Sequence, residues 1–360
     1  MKIINFEEVV ASFSFEEAIQ VMKKCFFDYE SGKISQNPRL VEILPDGKDK
    51  NMFAMMPAYL GENRYFGTKV ITAFPDNHQY HLPSHLGEIF LFDAQNGLPK
   101  ALINANAVTW IRTAAVSALA TDYLANPHAE TLALIGAGQQ ALSHLTAIST
   151  IRPITTVFVY DILEERRNTF TAKAKKQYPK ITFINAISVE DAVRPAEIIC
   201  TLTSSKEAFL QKEWVREDAH INAVGTFTPD TREISTSLME TSQIYVDDYS
   251  AALTESGDLL IAMAEGDLEE SCIVGTLGEL VSEKKTFYKG ESRPTIFDAV
   301  GLAIEDLCCA EYIGMATVFL TNFIRCRTSF RMLFRLSLTM SLLGCDDLRQ
   351  ELTVKVRLPR

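Results

Sequence analysis

Residues 131–148 read Thr-Leu-Ala-Leu-Ile-Gly-Ala-Gly-Gln-Gln-Ala-Leu-Ser-His-Leu-Thr-Ala-Ile. The run 132–135 is apolar at every position and too short for a helix, which reads as a strand buried on both faces, as in a parallel sheet. Gly136-x-Gly138-x-x-Ala141 follows, and the apolar residues Ala141, Leu142, Leu145 and Ile148 then keep a helical spacing. Strand, glycine turn and helix in this order are the context of a dinucleotide-binding fingerprint. Gly136 permits a tight turn, Gly138 lets the backbone approach a pyrophosphate, and Ala141 lets the helix pack close to the strand. The helix N-terminus offers free N–H groups and a positive dipole end to the phosphates. A glycine turn between any strand and helix would look the same, so the weight falls on the next element. Residues 156–160, Thr-Val-Phe-Val-Tyr, are β-branched and aromatic and end at Asp161. An acid at the tip of the second strand, about twenty residues past the glycines, meets the adenosine ribose hydroxyls and repels a 2′-phosphate. That favours NAD over NADP.

From Glu130 onward strands and helices alternate. Further strands are expected at 181–184, 198–203, 221–224 and 244–246, which with the first two make about six strands of a doubly wound sheet. The carboxyl ends of these strands should line the cofactor crevice: Thr201, Thr203, Ser204, Val224, Gly225, Thr226, Asp247 and Asp248. Serine, threonine and aspartate are also common turn formers.

Upstream, Ser14-x-x-Glu17 has the capping-box pattern and opens a helix with Phe15, Ala18, Ile19, Met22, Phe26 and Tyr29 on one face. Residues 31–51 are loop-like, with Arg39 beside Pro38. Residues 52–60, 68–74 and 88–92 then alternate with turns, which predicts a small antiparallel sheet. Lys69 lies in its second strand, either on the wet face or held inside for a purpose. Arg112 is expected to open an alanine-rich helix over 113–125. There its guanidinium and the helix N-terminus would hold one carboxylate together, or it makes a salt bridge at the helix start.

Bulk properties bound the function. A chain of 360 residues can form two domains with their own cores, and 47% hydrophobic with 22% charged residues describes a soluble globular protein. A net charge of −11 argues against a nucleic-acid surface. The 7 cysteines are odd in number and lack C-x-x-C spacing, so reduced thiols in a cytoplasm fit better than disulfides or a zinc knuckle. The start, Met-Lys-Ile-Ile-Asn-Phe-Glu-Glu, meets acid before any long apolar run, so no signal peptide is expected. No run reaches the roughly 18 apolar residues of a membrane span. His78, His81 and His85 cluster, but Pro83 interrupts a helix there and no metal site is expected. A Gly-x-Ser-x-Gly turn is missing, which leaves acyl transfer unsupported. After about residue 317 the character changes: Arg325, Arg327, Arg331 and Arg335 stand among Phe, Leu and Met. That basic stripe reads as a membrane-surface helix, as packing against the acidic body, or as a poorly ordered end.

Taken together, these residues resemble the ornithine cyclodeaminase/mu-crystallin family. The resemblance runs over about 1–316 and is carried by Met56-Pro57-Ala58, Gly67-Thr68-Lys69-Val70, Leu91-Phe92-Asp93-Ala94, and Arg112-Thr113-Ala114-Ala115 with Ser117-Ala118-Leu119. Ile135-Gly136-Ala137-Gly138-x-Gln140, Ile221-Asn222-Ala223-Val224-Gly225, Val246-Asp247-Asp248 and Val300-Gly301-Leu302-Ala303-x-Glu305-Asp306 complete it. It implies a Rossmann-type doubly wound parallel sheet over 126–302, plus a smaller α+β domain for substrate and dimerisation over 1–125, completed by about 303–360. It implies a homodimer. Cofactor contacts are then expected from Thr113, Gly136, Ala137, Gly138, Gln139, Gln140, Asp161, Thr201, Thr203, Val224 and Gly225. Arg39 and Arg112 would grip a substrate α-carboxylate and Lys69 would contact its reacting end, with Lys69 and Arg112 as the catalytic pair.

The sequence departs from the cyclodeaminase pattern twice. Phe227 stands where that branch carries an acid two residues past the glycine matching Gly225, and Ala54 stands where it carries a glutamate. Neither side chain can do acid–base work. The function expected is therefore NAD-dependent hydride transfer at the α-carbon of an amino or imino acid. The alternatives are ornithine cyclodeamination with recycled NAD, or ligand binding without turnover.

Overall fold

Two sheets carry the chain, which the computed structural model describes over residues 1–48, 50–266, 268–285 and 293–315. The basic stripe after residue 317 lies outside these residues. Every element below belongs to the unit formed by residues 1–312. The first sheet runs in the order β1 (Lys2–Ile4), β7 (Pro99–Asn104), β6 (His85–Asp93), β5 (Tyr65–Ala73), β4 (Met52–Tyr59), β2 (Ser35–Gln36), and β3 (Leu40–Ile43) also pairs with β4. Its long central strands are antiparallel, as expected; β1 joins parallel to β7. The expected loop over 31–51 is corrected by β2 and β3. All four residues of β3 are exposed, so no alternation marks it, and its pairing with β4 comes from tertiary context.

Helix α1 (Phe6–Ser12) is followed by α2 (Phe15–Glu30), which opens on the expected capping box of Ser14 and Glu17. Helix α3 (Ala105–Leu124) is a correction. It starts at the Asn104 cap, whose side chain accepts from the Ala107 N–H at 3.0 Å, so Arg112 sits inside the helix rather than at its start. Fourteen of its 20 residues are buried, and a helix buried nearly all round has no polar face to mark where it begins.

The second sheet has the order β10 (Thr182–Asn185), β9 (Thr156–Tyr160), β8 (Thr131–Ile135), β11 (Ile198–Thr201), β12 (His220–Ala223), β15 (Thr295–Asp298), β13 (Gln243–Val246), β14 (Ile273–Thr276), all parallel. It is the expected doubly wound sheet with eight strands instead of six. β14 and β15 have four residues each, too few for a periodic signal. Helix α4 (Gln139–Ile151) follows β8 directly. The strand order reverses between β8 and β11, and in open α/β sheets the crevice beyond the carboxyl ends at such a point takes ligands.

Candidate active site

Lys69 lies in the middle of β5, paired across to Met56 on β4 and Ile89 on β6. It is only 3% exposed, so of its two readings the structure supports the inward one. Its ammonium donates to Asp306 Oδ2 at 2.5 Å. Arg112 reaches the same acid from α3, Nε to Asp306 Oδ1 at 3.1 Å, and its Nη1 donates to Glu305 Oε2 at 2.7 Å. Both acids stand on the helix entered at residue 303. Gly301, just before it, has φ +82°, and a Cβ there would lie 2.8 Å from Arg112 Nη1; only glycine allows both the turn and this approach. Arg39 Nη2 donates to the carbonyls of Val300 and Gly301 at 2.9 Å each, and faces Glu255 Oε2 at 2.7 Å.

Arg39, Lys69 and Arg112 thus line one cavity of about 310 Å³, with Met56, Ile71, Val116 and Val224 as apolar wall and Trp110, Phe227 and Glu305 among the other lining residues. Burial, with Arg112 and Arg39 nearby, pulls the Lys69 ammonium down to about 8, although Asp306 opposes this. Burial alone would raise Asp306, but Arg112 and Lys69 outweigh it and hold that carboxyl below its ordinary value. Glu305 goes the other way: burial and the neighbouring Asp306 raise it. Asp247 at the end of β13 is pushed up to about 8 by burial and by Glu305, while its Oδ2 accepts from the Gly301 N–H at 2.7 Å. The cavity is therefore lined by a lysine brought down to about 8, two guanidiniums and the Glu305 carboxyl, with Asp306 bonded to Lys69 and Arg112.

The glycine turn borders the same space. Gly136 has φ +104°, and a Cβ there would meet the Leu202 carbonyl oxygen at 2.8 Å, so the tight turn requires glycine. Asp161 is buried beneath it: Oδ2 accepts from the Ala137 N–H and Oδ1 from the Leu163 N–H, each at 2.9 Å. Trp110 Nε1 donates to the Gln139 carbonyl at 3.0 Å, tying α3 to the turn. Thr113, Gln139, Gln140 and Val224 line the cavity with Lys69, whereas Ala137, Gly138 and Gln139 line an adjoining one that extends past Ile162 and Arg166. Thr203 and Gly225 have their N–H groups taken by Glu233, at 2.7 and 3.0 Å. Thr201 is fully buried. Of the other strand-end residues, Thr226 donates to Asp258 at 2.8 Å, and Asp248 caps the helix Tyr249–Glu255.

The turn fits a dinucleotide. Gly138, the cap of α4, makes no side-chain cap bond, and a methyl group added there would meet no atom within 4 Å. The space beside Gly138 is open, and a pyrophosphate there would meet backbone donors and the positive dipole end of the helix. Thr113 Oγ1 is buried and has no hydrogen-bond partner among the described residues, a vacancy that a bound polar group would fill. Among the described residues no group of three or more His, Cys, Asp or Glu could hold a metal, and no helix is long and apolar enough to cross a membrane.

The model of the ornithine cyclodeaminase/mu-crystallin family matches residues 2–316. The chain belongs to this family. Among its relatives, the Δ1-pyrroline-2-carboxylate reductase of Colwellia psychrerythraea is 34% identical over 87% of this chain and 98% of its own. The ketimine reductase mu-crystallin of Rattus norvegicus is 35% identical over 75% of this chain and 82% of its own. Of solved structures, the Thermococcus litoralis Δ1-pyrroline-2-carboxylate reductase, in complex with NADH and L-proline, superimposes with a TM-score of 0.85 at 31% identity, covering 89% of this chain and 98% of that one. An archaeal alanine dehydrogenase dimer with bound NAD has a TM-score of 0.83 at 28% identity, covering 89% and 97%.

Several site residues of this family member carry no role in the sequence reading. Glu305 and Asp306 are visible as two adjacent acids in an apolar run, although their partners are not. Glu233, Glu255 and Trp110 give no local signal, because what they do depends on elements far away in sequence.

Proposed function

We propose that the protein reduces a cyclic imino acid at its α-carbon, with Lys69 as the proton donor and a nicotinamide cofactor seated on the glycine turn. The protein is an NAD(P)-dependent oxidoreductase acting on a small imino or amino acid. The observation that carries the reading is the buried Lys69, near 8, in one cavity with Arg112 and with Thr113 and Gln139 at the edge of the turn. The relatives named for ketimine and pyrroline-2-carboxylate reduction support it.

When bound, the nicotinamide supplies or accepts the hydride. The chain does the rest. Arg39 is held through Nη2 and Arg112 through Nε and Nη1. The remaining guanidinium donors point the choice to a substrate carboxylate, held by groups that the acids have already fixed in place. Lys69 gives its proton to the substrate nitrogen as the α-carbon is reduced, and takes one in reverse. The apolar wall of Met56, Ile71, Val116 and Val224 suits a hydrocarbon ring.

The cofactor is NAD rather than NADP in this reading. Asp161 sits fixed at the tip of β9 by the Ala137 and Leu163 N–H groups, and an acid at that place meets ribose hydroxyls and repels a 2′-phosphate. In this reading residues 1–125 with residues 303–312 form the substrate and dimerisation domain, and 126–302 the cofactor domain. The same reading makes the protein a homodimer: Leu40, paired with Met55, shares one face of the first sheet with Tyr59 and Phe66, and all three are exposed apolar side chains. The cyclodeaminase alternative is weakened by Phe227, which lines the cavity, and by Ala54, buried opposite Ile71.

The test is nicotinamide absorbance with NADH and with NADPH, against Δ1-pyrroline-2-carboxylate, its six-membered homologue, and pyruvate with ammonia. Loss of NADH with a cyclic imine supports the reading. Turnover with none of them, while the compounds still stabilise the fold, would favour a binding protein.

A further inference from the structure

We infer that Glu305 recognises the nitrogen of the substrate, its free carboxyl oxygen accepting a hydrogen bond from the ring N–H, so that the site selects imino and amino acids over their oxygen counterparts. The inference rests on the reductase reading above and adds a specificity residue to it.

Two residues lining the cavity have a buried side-chain oxygen with no hydrogen-bond partner among the described residues, Thr113 Oγ1 and Glu305 Oε1. They belong to different ends. Thr113 is three residues past Trp110 on α3, hence on the same helix face, and Trp110 bonds the Gln139 carbonyl; that face serves the cofactor turn. Glu305 stands with Arg112 instead, at the substrate end. Its Oε2 is held by Arg112 Nη1 at 2.7 Å and the Leu302 N–H also acts on the carboxyl, so the group cannot turn to satisfy Oε1 without breaking the bond to Arg112. A buried carboxyl oxygen left without a partner is costly, and in a native structure it calls for an occupant.

The chemistry of that occupant follows from its neighbours. A substrate carboxylate is drawn to the arginines and repelled by Glu305. With Glu305 held as a carboxylate by Arg112, what meets Oε1 donates a hydrogen, and a positive charge there is compensated. A protonated cyclic imine, or the secondary ammonium it becomes, offers both. Beside Lys69 and Arg112 such a cation would be repelled unless a second acid joined Asp306, and Glu305 is that acid. A ring oxygen or a carbonyl at the same place presents only lone pairs.

The experiment measures calorimetric binding of L-proline and of tetrahydrofuran-2-carboxylate to the NADH-saturated protein. The two ligands share ring size and carboxylate and differ in N–H against ether oxygen. The native protein should bind L-proline roughly tenfold or more tightly than the ether, the usual effect of a charge-assisted hydrogen bond. In E305Q that preference should collapse while affinity for the ether stays about the same. Equal binding of the two ligands by the native protein overturns the inference, and this comparison decides the matter even if E305Q does not fold. Parallel weakening of both ligands in E305Q also overturns it, because Glu305 would then act only by bracing Arg112. Failure of both ligands to bind the NADH-saturated native protein would instead overturn the reductase reading itself.

Discussion

Lys69 and Asp306, 237 positions apart in sequence, form a buried ion pair of 2.5 Å between strand β5 of the first sheet and the helix that follows the second. Arg112 of α3 joins the same carboxylate. One acid thus fixes two cations brought by two other elements, and the site exists only when all three are packed. Taking charges out of water is expensive, and such a pair holds only because each group keeps its partners.

The Lys69 ammonium near 8 sets a pH dependence. As proton donor it must be charged, so the reductive kcat/KM should be flat below about 8 and fall above it. Oxidation of the amine product should show the opposite limb. In Lys69→Met turnover should collapse while NADH affinity is kept. A variant that keeps turnover and the same limb would remove Lys69 from the mechanism.

Asp306→Asn should destabilise the protein by about 3–5 kcal/mol, since it leaves Lys69 and Arg112 buried with one acid fewer. Urea unfolding at neutral pH measures this. An unchanged midpoint would mean that the three groups are not coupled as the geometry indicates.

Much of this site is legible in the sequence, and the reason differs by residue. Gly136, Gly138 and Asp161 act through local backbone geometry, so their spacing alone places them at the turn and at the tip of the second strand. Lys69 is visible as a charge in an apolar strand, but which face it takes depends on Asp306. Arg112 is found as a residue and misplaced in its helix, because α3 is buried on nearly every side and hides its own start. β14 and β15 are short and lie at the far half of the sheet, where pairing with β13 makes them strands. Asp161 also has a second task that spacing cannot show, bracing the turn through Ala137 and Leu163.

Phe227 lines the cavity, and by the family resemblance Phe227 and Ala54 stand where cyclodeaminases carry acids. Ornithine with NAD should therefore release no ammonia, and Phe227→Asp alone should not restore release, because Ala54 still offers no carboxylate. Ammonia detected by a coupled assay with the native protein would contradict this.

A buried polar chain fastens α3 to the second sheet: Asn222 donates to Thr121 Oγ1 at 2.9 Å, and His220 Nδ1 lies 2.9 Å from Thr295 Oγ1. Burial pushes the His220 imidazole down to about 3. Above its ordinary value of 6.5 the histidine is neutral folded or unfolded, so it adds no pH dependence there. Below that value the unfolded chain takes up a proton that the folded one refuses, and stability is lost as pH falls. The stability of the native protein relative to His220→Gln should therefore decline from pH 7 to pH 5, measured by denaturant unfolding at both. A difference independent of pH would show that His220 is not held neutral.

Isotope transfer distinguishes hydride delivery to the α-carbon of a cyclic imino acid from every other outcome. The protein is supplied with NADH deuterated at the transferable C4 position and with Δ1-pyrroline-2-carboxylate, and the proline formed is analysed by mass spectrometry. One deuterium at Cα is the predicted result, lost when Lys69 is replaced by Met because no product forms. Proline without deuterium at Cα, or no proline while the protein binds both compounds, would show that the protein does not transfer hydride to the imine.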